Sequence, residues 1–472
     1  MGLRLLAPLW VLAGLVAARA VAASDALVAL GSEVWERPLL VAAPHLVLAM
    51  VCVVLRDRRW RWSTPLPVAV ALGWAWMTPD APPRRIEAGT GPDIVLLTLD
   101  TFRADHVARA PRVGALEQYT QALTSAPLTA PAHASMLTGL PVLEHGLVRN
   151  GGATSAPSVV EELRAAGYAT GAFVTSRVLQ RETGLGSGFI HYDDRWGVQR
   201  WSLLFARDGH RTRSGQTAVN RALDWFQQTP GPRFLWVHLY EPHTPYLPPA
   251  AWRPDEHQRA AAATVDAKNR PPSNDLKGFK ENLRSGFGAG QRLMYAAEVD
   301  YTDHLVGQVL DALPQARVIV VGDHGEGLGE HDEWFDHGEH LFEGTVSVPL
   351  ATRGLGAGHD ELVGVRQVAD ALRAAAGLGG AVFEPVESVA LFTPGQHTLP
   401  GPSVAVAAVR TAQGKRVQVS GQAPVFYDLI LDPDEGDPQP LPTDPVLDAM
   451  LSSFPEVTAD EQRRMRALGY VE

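Results

Sequence analysis

Three stretches of this chain carry residue types that, at their spacing, could hold a cation next to a nucleophile. Asp100 closes the apolar run "DIVLLTLD" (Asp93–Asp100). The pair Asp323–His324 closes another, "ARVIVVGDHG" (Ala316–Gly325), and leads into the glycine-rich "GDHGEGLGEH". Carboxylate plus imidazole suits Zn²⁺ or Mn²⁺ better than Ca²⁺, which prefers all-oxygen cages. The third stretch, "SAPLTAPAHASMLTG" (Ser125–Gly139), has the look of a reactive turn. It holds no cysteine, Ser125 and Ser135 stand at the wrong distance from Pro131, and the hydroxyl in the expected place is Thr129. Zn²⁺ brings the pKa of bound water from about 15.7 to about 7. A threonine hydroxyl beside such a cation can serve as a nucleophile at neutral pH.

Histidines gather in "VHLYEPHTPY" (Val237–Tyr246) and "GEHDEWFDHGEHLFEG" (Gly329–Gly344), which contain His238, His243, His331, His337 and His340. An isolated histidine is usually a solvated or core residue, and spacing alone does not rank these five. We take His243 and His337 as the leading pair.

The elements that must position these groups are legible as alternating patterns. Asp93–Asp100, Tyr168–Ser176, Arg233–Tyr240 and Ala316–Gly325 are short, branched apolar runs expected to form buried parallel strands. Between them, Ser158–Ala166, Gly215–Gln228 and Gln291–Leu313 have helical spacing. Strands alternating with helices predict an α/β domain with a mostly parallel sheet, whose polar site belongs at the carboxyl ends of the strands. Asp100, His238 and Asp323 all fall at or just beyond such ends. The polar stretch Ala250–Gly290 is either a lid over the site or a solvated insertion. Beyond about Gly356 the chain turns Gly-, Pro- and Val-rich, and Ser403–Gly421 reads as a hairpin turning near Gln413–Gly414. A small antiparallel subdomain is expected there.

Composition narrows the class. A formal charge of −11 supplies no basic surface for a nucleic acid. The single cysteine, Cys52, rules out a disulfide framework and a thiolate metal cage. The first 78 residues hold three apolar runs: Leu5–Ala23, Leu39–Leu55 and Thr64–Thr78. The first could be a signal peptide. The second and third would reach about 26 and 22 Å as helices, against a hydrocarbon core of roughly 30 Å. The Arg56–Arg61 cluster belongs in the cytoplasm by the positive-inside rule. Three spans, or a cleaved signal followed by a membrane hairpin, both put the large domain outside the cytoplasm; buried core helices are the remaining reading.

Ordered motifs then identify a family. "DIVLLTLDTFRADHV", "APLTAPAHASMLTGL…EHGLVRNG", "FLWVHLYEPHTPYLPP", "YAAEVDYTDHLVGQVL", "VIVVGDHGEGLGEH", "FDHGEHLFEGTVSVPL", "YDLILDPDE" and "LGYVE" occur in sequence. Together they resemble the sulfatase family of the alkaline phosphatase superfamily over roughly Asp93–Glu472. The apolar runs predict N-terminal membrane segments at 1–78 and the Pro- and Gly-rich stretch a linker at 79–92, while the resemblance implies a catalytic α/β domain at 93–355 and a C-terminal subdomain at 356–472. It implies Asp100, Asp323 and His324 as metal ligands, with Thr129 in the nucleophile slot and also on the metal. His243 and His337 match positions that hold the ester's oxygens, and either His337 or His331 would protonate the leaving group. His133 stands where sulfatases carry the arginine of a Cys/Ser-x-Pro-x-Arg motif, which implies a substrate contact.

Three departures matter. Thr129 cannot become formylglycine, Thr101 replaces a second Asp, and His324 stands where Asn is frequent. These changes resemble the threonine-dependent phosphodiesterases and phosphoethanolamine transferases of the superfamily. The expectation is a membrane-anchored, extracytoplasmic hydrolase or transferase of phosphate or sulfate esters, the substrate being lipid- or glycan-linked, with one Zn²⁺ or Mn²⁺. The alternative is a sulfatase-fold binding protein that has lost the chemistry.

Overall fold

The computed structural model of the 472-residue chain describes residues 90–194, 213–255, 288–395 and 404–454. All belong to the second of two compact units, Ile86–Glu472. The three N-terminal apolar runs and nearly all of the polar excursion lie outside the described residues. No helix among the described residues is long and apolar enough to cross a membrane.

The larger sheet is built from β1 (Ile94–Leu99), β2 (Glu117–Leu123), β3 (Ala169–Phe173), β4 (His191–Asp193), β5 (Arg233–Leu239), β6 (Arg317–Gly322), β7 (Leu350–Arg353) and β8 (His359–Gly364). Their order is β4-β3-β5-β1-β6-β7-β2-β8. Strands β4 to β6 of that order run parallel, and β7 is antiparallel to both its neighbours. Among the described residues, the α-helices of seven residues or more are α1 (Thr129–Thr138), α2 (Val159–Ala165), α3 (Gly215–Gln228), α4 (Gly288–Ala312), α5 (Val368–Ala376) and α6 (Pro445–Ser452).

Strand β1 shows why the sheet takes this form. All six of its residues are buried, as a strand covered on both faces requires. Ile94 and Leu96 pack with α1, α2 and α5, whereas Val95, Leu97 and Leu99 pack with α3 and α4. The side-chain alternation of a strand thus divides the core into two layers, one on each side of the sheet. Sequence and structure agree closely on the central strands and on α2, α3 and α4.

Two expectations need correction. Ser125–Gly139 is not a turn: Thr129 opens a ten-residue helix, all of it buried. Pro131 falls in its first turn, where a missing N–H costs no intrahelical bond. Gly139, with φ +76°, ends the helix in a conformation that favours glycine. The second correction concerns the boundary at residue 356. Strand β8 pairs with β2 in the large sheet, and α5 packs on that sheet's face. The glycine-rich composition near Gly356 therefore marks a turn into an edge strand. The smaller sheet begins only at β9 (Ser388–Thr393) and continues through β10 (Val406–Thr411), β11 (Gly414–Val419), β12 (Val425–Asp428) and β13 (Gln439–Pro440). It is antiparallel throughout, and its β10–β11 hairpin turns where the sequence placed it.

Candidate active site

Three adjacent strands deliver the central residues. Asp100 N–H donates to Leu239 O at 2.9 Å, and Asp323 N–H to Leu99 O at 3.1 Å. These two bonds continue the β1–β5 and β1–β6 ladders one residue past the strands. They set Asp100 and Asp323 side by side at the carboxyl edge of the sheet. The next residue, His324, donates from Nδ1 to Gly325 O at 2.9 Å, which leaves Nε2 as the lone-pair nitrogen. Gly325 is required by proximity, because a Cβ there would stand 2.1 Å from Gly344 O. Thr129 reaches the same point from the N-terminus of α1, with Oγ1 3.3 Å from His324 Nε2.

The donor chemistry fits a divalent cation. His324 Nε2 lies 3.7 Å from both Asp100 Oδ1 and Asp323 Oδ2. Asp323 Oδ1 accepts from the backbone N–H groups of Thr101 and His324 at 3.1 and 2.7 Å. Its Oδ2, like both oxygens of Asp100, is buried without a hydrogen-bond partner. Asp100, Asp323 and His324 are 0% exposed and Thr129 is 2% exposed. Burial raises the Asp100 carboxyl well above the ordinary range, and the charges of Glu326 and Glu241 add to this. Burial does the same to Asp323, reinforced by Asp100. Buried carboxylates of this kind are compensated by pairing or by a metal. Thr101, in the place of a second carboxylate, contributes a buried hydroxyl that also lacks a partner, from a backbone at φ +52°.

His337 and His243 join this group. The His337 ring centroid is 4.3 Å from that of His324 and 4.9 Å from that of His243. His243 stacks on Tyr240 at 4.3 Å. Burial lowers both imidazoles to about 4, with His337 adding to the effect on His243. Glu326 holds His337, its Oε1 lying 2.9 Å from Nδ1, while its Oε2 accepts from Tyr246 OH at 3.1 Å. Burial pushes Glu326 up to about 7, so this carboxyl carries or releases a proton near neutrality. Arg103 Nη1 in turn donates to Glu326 O at 3.0 Å and fixes the loop.

Two assigned residues occupy other places. His133 is not turned to a substrate: it is 1% exposed, Nδ1 donates to Thr129 O at 2.7 Å, and Nε2 meets Thr98 Oγ1 at 2.9 Å. With both nitrogens engaged it braces the first turn of α1. His331 is exposed and lies flat on Phe342, with ring centroids 3.7 Å apart. Left-handed backbone at Gly329, His331 and Asp332 turns that segment outward. Two contributors had no role in the sequence reading. Glu326 follows His324 by two positions, and that spacing was the available signal. Asn150 Oδ1 accepts Ala130 N–H at 3.0 Å and so ties down the start of α1. It carries no local signal beyond ending "LVRN".

The sulfatase family model matches residues 92–361, which run from β1 into β8 and contain every residue of this cluster. The chain belongs to the sulfatase family. A choline-sulfatase of Rhizobium meliloti is 25% identical over 286 residues, covering 49% of this chain and 54% of the relative. The iduronate 2-sulfatase of Mus musculus is 30% identical over 166 residues, 28% of each chain. The chain thus spans about half or less of the length of these curated sulfatases. Among solved structures, the phosphonate monoester hydrolase of Agrobacterium radiobacter superposes with a TM-score of 0.59 at 19% identity. That match covers 80% of this chain and 96% of the hydrolase, and it is a likeness of fold.

Proposed function

We propose that this sulfatase-family chain is a metal-dependent ester hydrolase in which Thr129 is the nucleophile, with phosphorus favoured over sulfur as the centre attacked. The observation that carries the reading is Thr129 Oγ1 at 3.3 Å from His324 Nε2, beside three carboxylate oxygens that lack partners. Choline-sulfatase and phosphonate monoester hydrolase among the similar proteins support a sulfate, phosphate or phosphonate ester as substrate.

Asp100, Asp323, His324 and the Thr129 hydroxyl would hold the cation, which supplies Lewis acidity that makes the hydroxyl acidic and draws charge from the ester oxygens. The chain's own groups do the rest. The N-terminal end of α1 favours negative charge on Thr129 Oγ1 once its proton has left to water. That oxygen forms a bond to phosphorus in line with the leaving group. As the P–O bond to the leaving alcohol breaks, the departing oxygen takes a proton from the Glu326–His337 pair. Glu326 passes a proton to His337 Nδ1 while Nε2 gives one up, so the pair loses one proton in total. Water then attacks the phosphothreonine, returns a proton to the pair and frees phosphate. His243, neutral and braced by Tyr240, lines the same space and orients the ester. A sulfated threonine has no equivalent of the collapse by which a formylglycine hydrate expels sulfate, which is the reason phosphorus is favoured.

Thr129→Ala tests the reading. It should lower turnover of phosphodiester, phosphonate and sulfate model substrates by about 10³-fold or more while bound metal persists. Unchanged turnover would remove Thr129 from the mechanism, and absence of turnover in the wild type with every substrate would favour a binding protein. Labelled substrate tells hydrolase from transferase by where the phosphoryl group ends: on water, or on a lipid or glycan alcohol. We also propose that residues 1–78 anchor the domain outside the cytoplasm, on the strength of the three apolar runs and the Arg56–Arg61 cluster. Cleavage of the domain by protease added to spheroplasts is the expected result; protection would reverse the orientation.

A further inference from the structure

We infer that His238, on β5, is a ligand of the metal centre, a second imidazole beside His324. Thr175 Oγ1 donates its single hydrogen to His238 O at 2.8 Å, so it can only accept from His238 Nδ1, 2.9 Å away. Thr175 therefore fixes the tautomer with hydrogen on Nδ1 and a lone pair on Nε2. That lone pair faces Asp100 Oδ2 at 3.3 Å, both side chains being 0% exposed. Neither atom has a hydrogen-bond partner. A protonated imidazole donating to a carboxylate would close to about 2.7–2.9 Å.

Asp100 thus stands between two imidazole lone pairs. Oδ1 faces His324 Nε2 at 3.7 Å, and Oδ2 faces His238 Nε2 at 3.3 Å. Donor atoms bound at about 2.0–2.2 Å to one tetrahedral ion are separated by roughly 3.4 Å, so each imidazole lies near ligand spacing from Asp100, and a ring nitrogen of His238 also lies within 4.8 Å of an oxygen of Asp323, the carboxylate that also groups with Asp100 and His324. His133, which also approaches Asp323 Oδ2 at 3.7 Å, is not a competitor, because Thr129 O and Thr98 occupy its nitrogens. The donor set becomes two carboxylates, two imidazoles and a hydroxyl. Such a set selects Zn²⁺ or Co²⁺ over Ca²⁺ and Mg²⁺. Thr175 acts as the positioning residue that keeps Nε2 free.

The inference rests on the metal-dependent reading above, and its test separates the two. Zn²⁺-loaded full-length protein is examined by X-ray absorption for imidazoles per ion, with ions per chain counted by elemental analysis; zinc affinity is measured against a chelator. The product should be two imidazoles per chain, falling to one in His238→Gln. Zinc binding should weaken at least tenfold in that variant, and the preference for Zn²⁺ over Ca²⁺ should narrow. Thr175→Val, which leaves His238 in place, should weaken zinc binding about 10–100-fold while keeping two imidazoles at saturation. This second variant and the wild-type count decide the matter even where His238→Gln folds poorly. One imidazole per chain at full occupancy, or unchanged zinc affinity in both variants, overturns the role of His238 and leaves the hydrolase reading standing. No bound zinc at all overturns both.

Discussion

The strand-end site and the smaller sheet each bury charge, and they treat it in opposite ways. Beneath the smaller sheet, Lys415 is 0% exposed and its Nζ donates to Leu341 O and reaches Glu343 Oε1 at 3.3 Å and Glu435. Glu343 also takes Arg410 Nε at 3.2 Å, and Glu435 accepts Glu343 N–H at 2.7 Å. Burial alone would raise Glu343, but Lys415 and Arg410 outweigh it and hold the carboxyl below its usual range. At the strand ends the described residues supply no such partner, and Asp100 and Asp323 are driven the other way. A charge cluster that satisfies itself is architecture. One that stays incomplete among the described residues could hold an external ion, and that marks the candidate site.

The contrast can be broken in several places. The largest effect expected in the smaller sheet is that of Lys415→Ala, which leaves the buried Glu435 without its cation and Glu343 with Arg410 alone, and should cost about 3–5 kcal/mol by denaturant unfolding, with or without chelator. A loss below 1 kcal/mol would mean that the cluster is not self-contained. At the strand ends, adding Zn²⁺ or Mn²⁺ to chelated wild type should stabilise by about 3–4 kcal/mol at 100 to 1,000 times the dissociation constant. Asp100→Asn should remove that gain, yet in chelator it should be as stable as the wild type or more so, because it takes away an uncompensated charge. An Asp100→Asn protein that melts lower than the wild type in chelator would refute the claim.

Glu298 offers the smallest and most graded test. It is 4% exposed, and its Oε1 accepts Leu247 N–H at 2.6 Å. Burial, then Glu241, raises its pKa from 4.5 to about 9. The folded chain keeps a proton that the unfolded chain releases, so stability is present below the lower value and is lost as pH climbs toward the upper one. Glu298→Gln should remove this slope, its Tm rising relative to wild type across the window. Parallel Tm curves would show that Glu298 does not titrate in this way.

Much of the frame was open to reading in one dimension. A strand buried on both faces must be an unbroken apolar run, so β1, β3, β5 and β6 stand out, and the polar residues that close them stand out with them. Helix α1 gave no such signal. Every one of its residues is buried, so it lacks the two-faced period of a surface helix, and Pro131 near its start reads as a turn. The roles of His133 and His331 were misjudged for a related reason: residue type and family position do not say which way a ring faces or what already binds it. His133 is held by Thr98, 35 residues away in sequence.

The sequence by itself determined the central strands β1, β3, β5 and β6 with helices α2, α3 and α4, the lack of a cysteine in the site stretches, and Thr129, Asp100, Asp323 and His324 as candidate site residues. Short-range pattern is enough for the strands and helices, whereas the candidate roles came from motifs shared with the sulfatase family. Only the tertiary structure decided the protonation pattern of the site. Which nitrogen of His324, His133 or His238 keeps its lone pair depends on Gly325 O, Thr129 O, Thr98 and Thr175, and three of those four lie outside the ring's immediate neighbours in the chain. A hydrogen bond from a distant residue sets a tautomer, and the tautomer sets what an imidazole can hold.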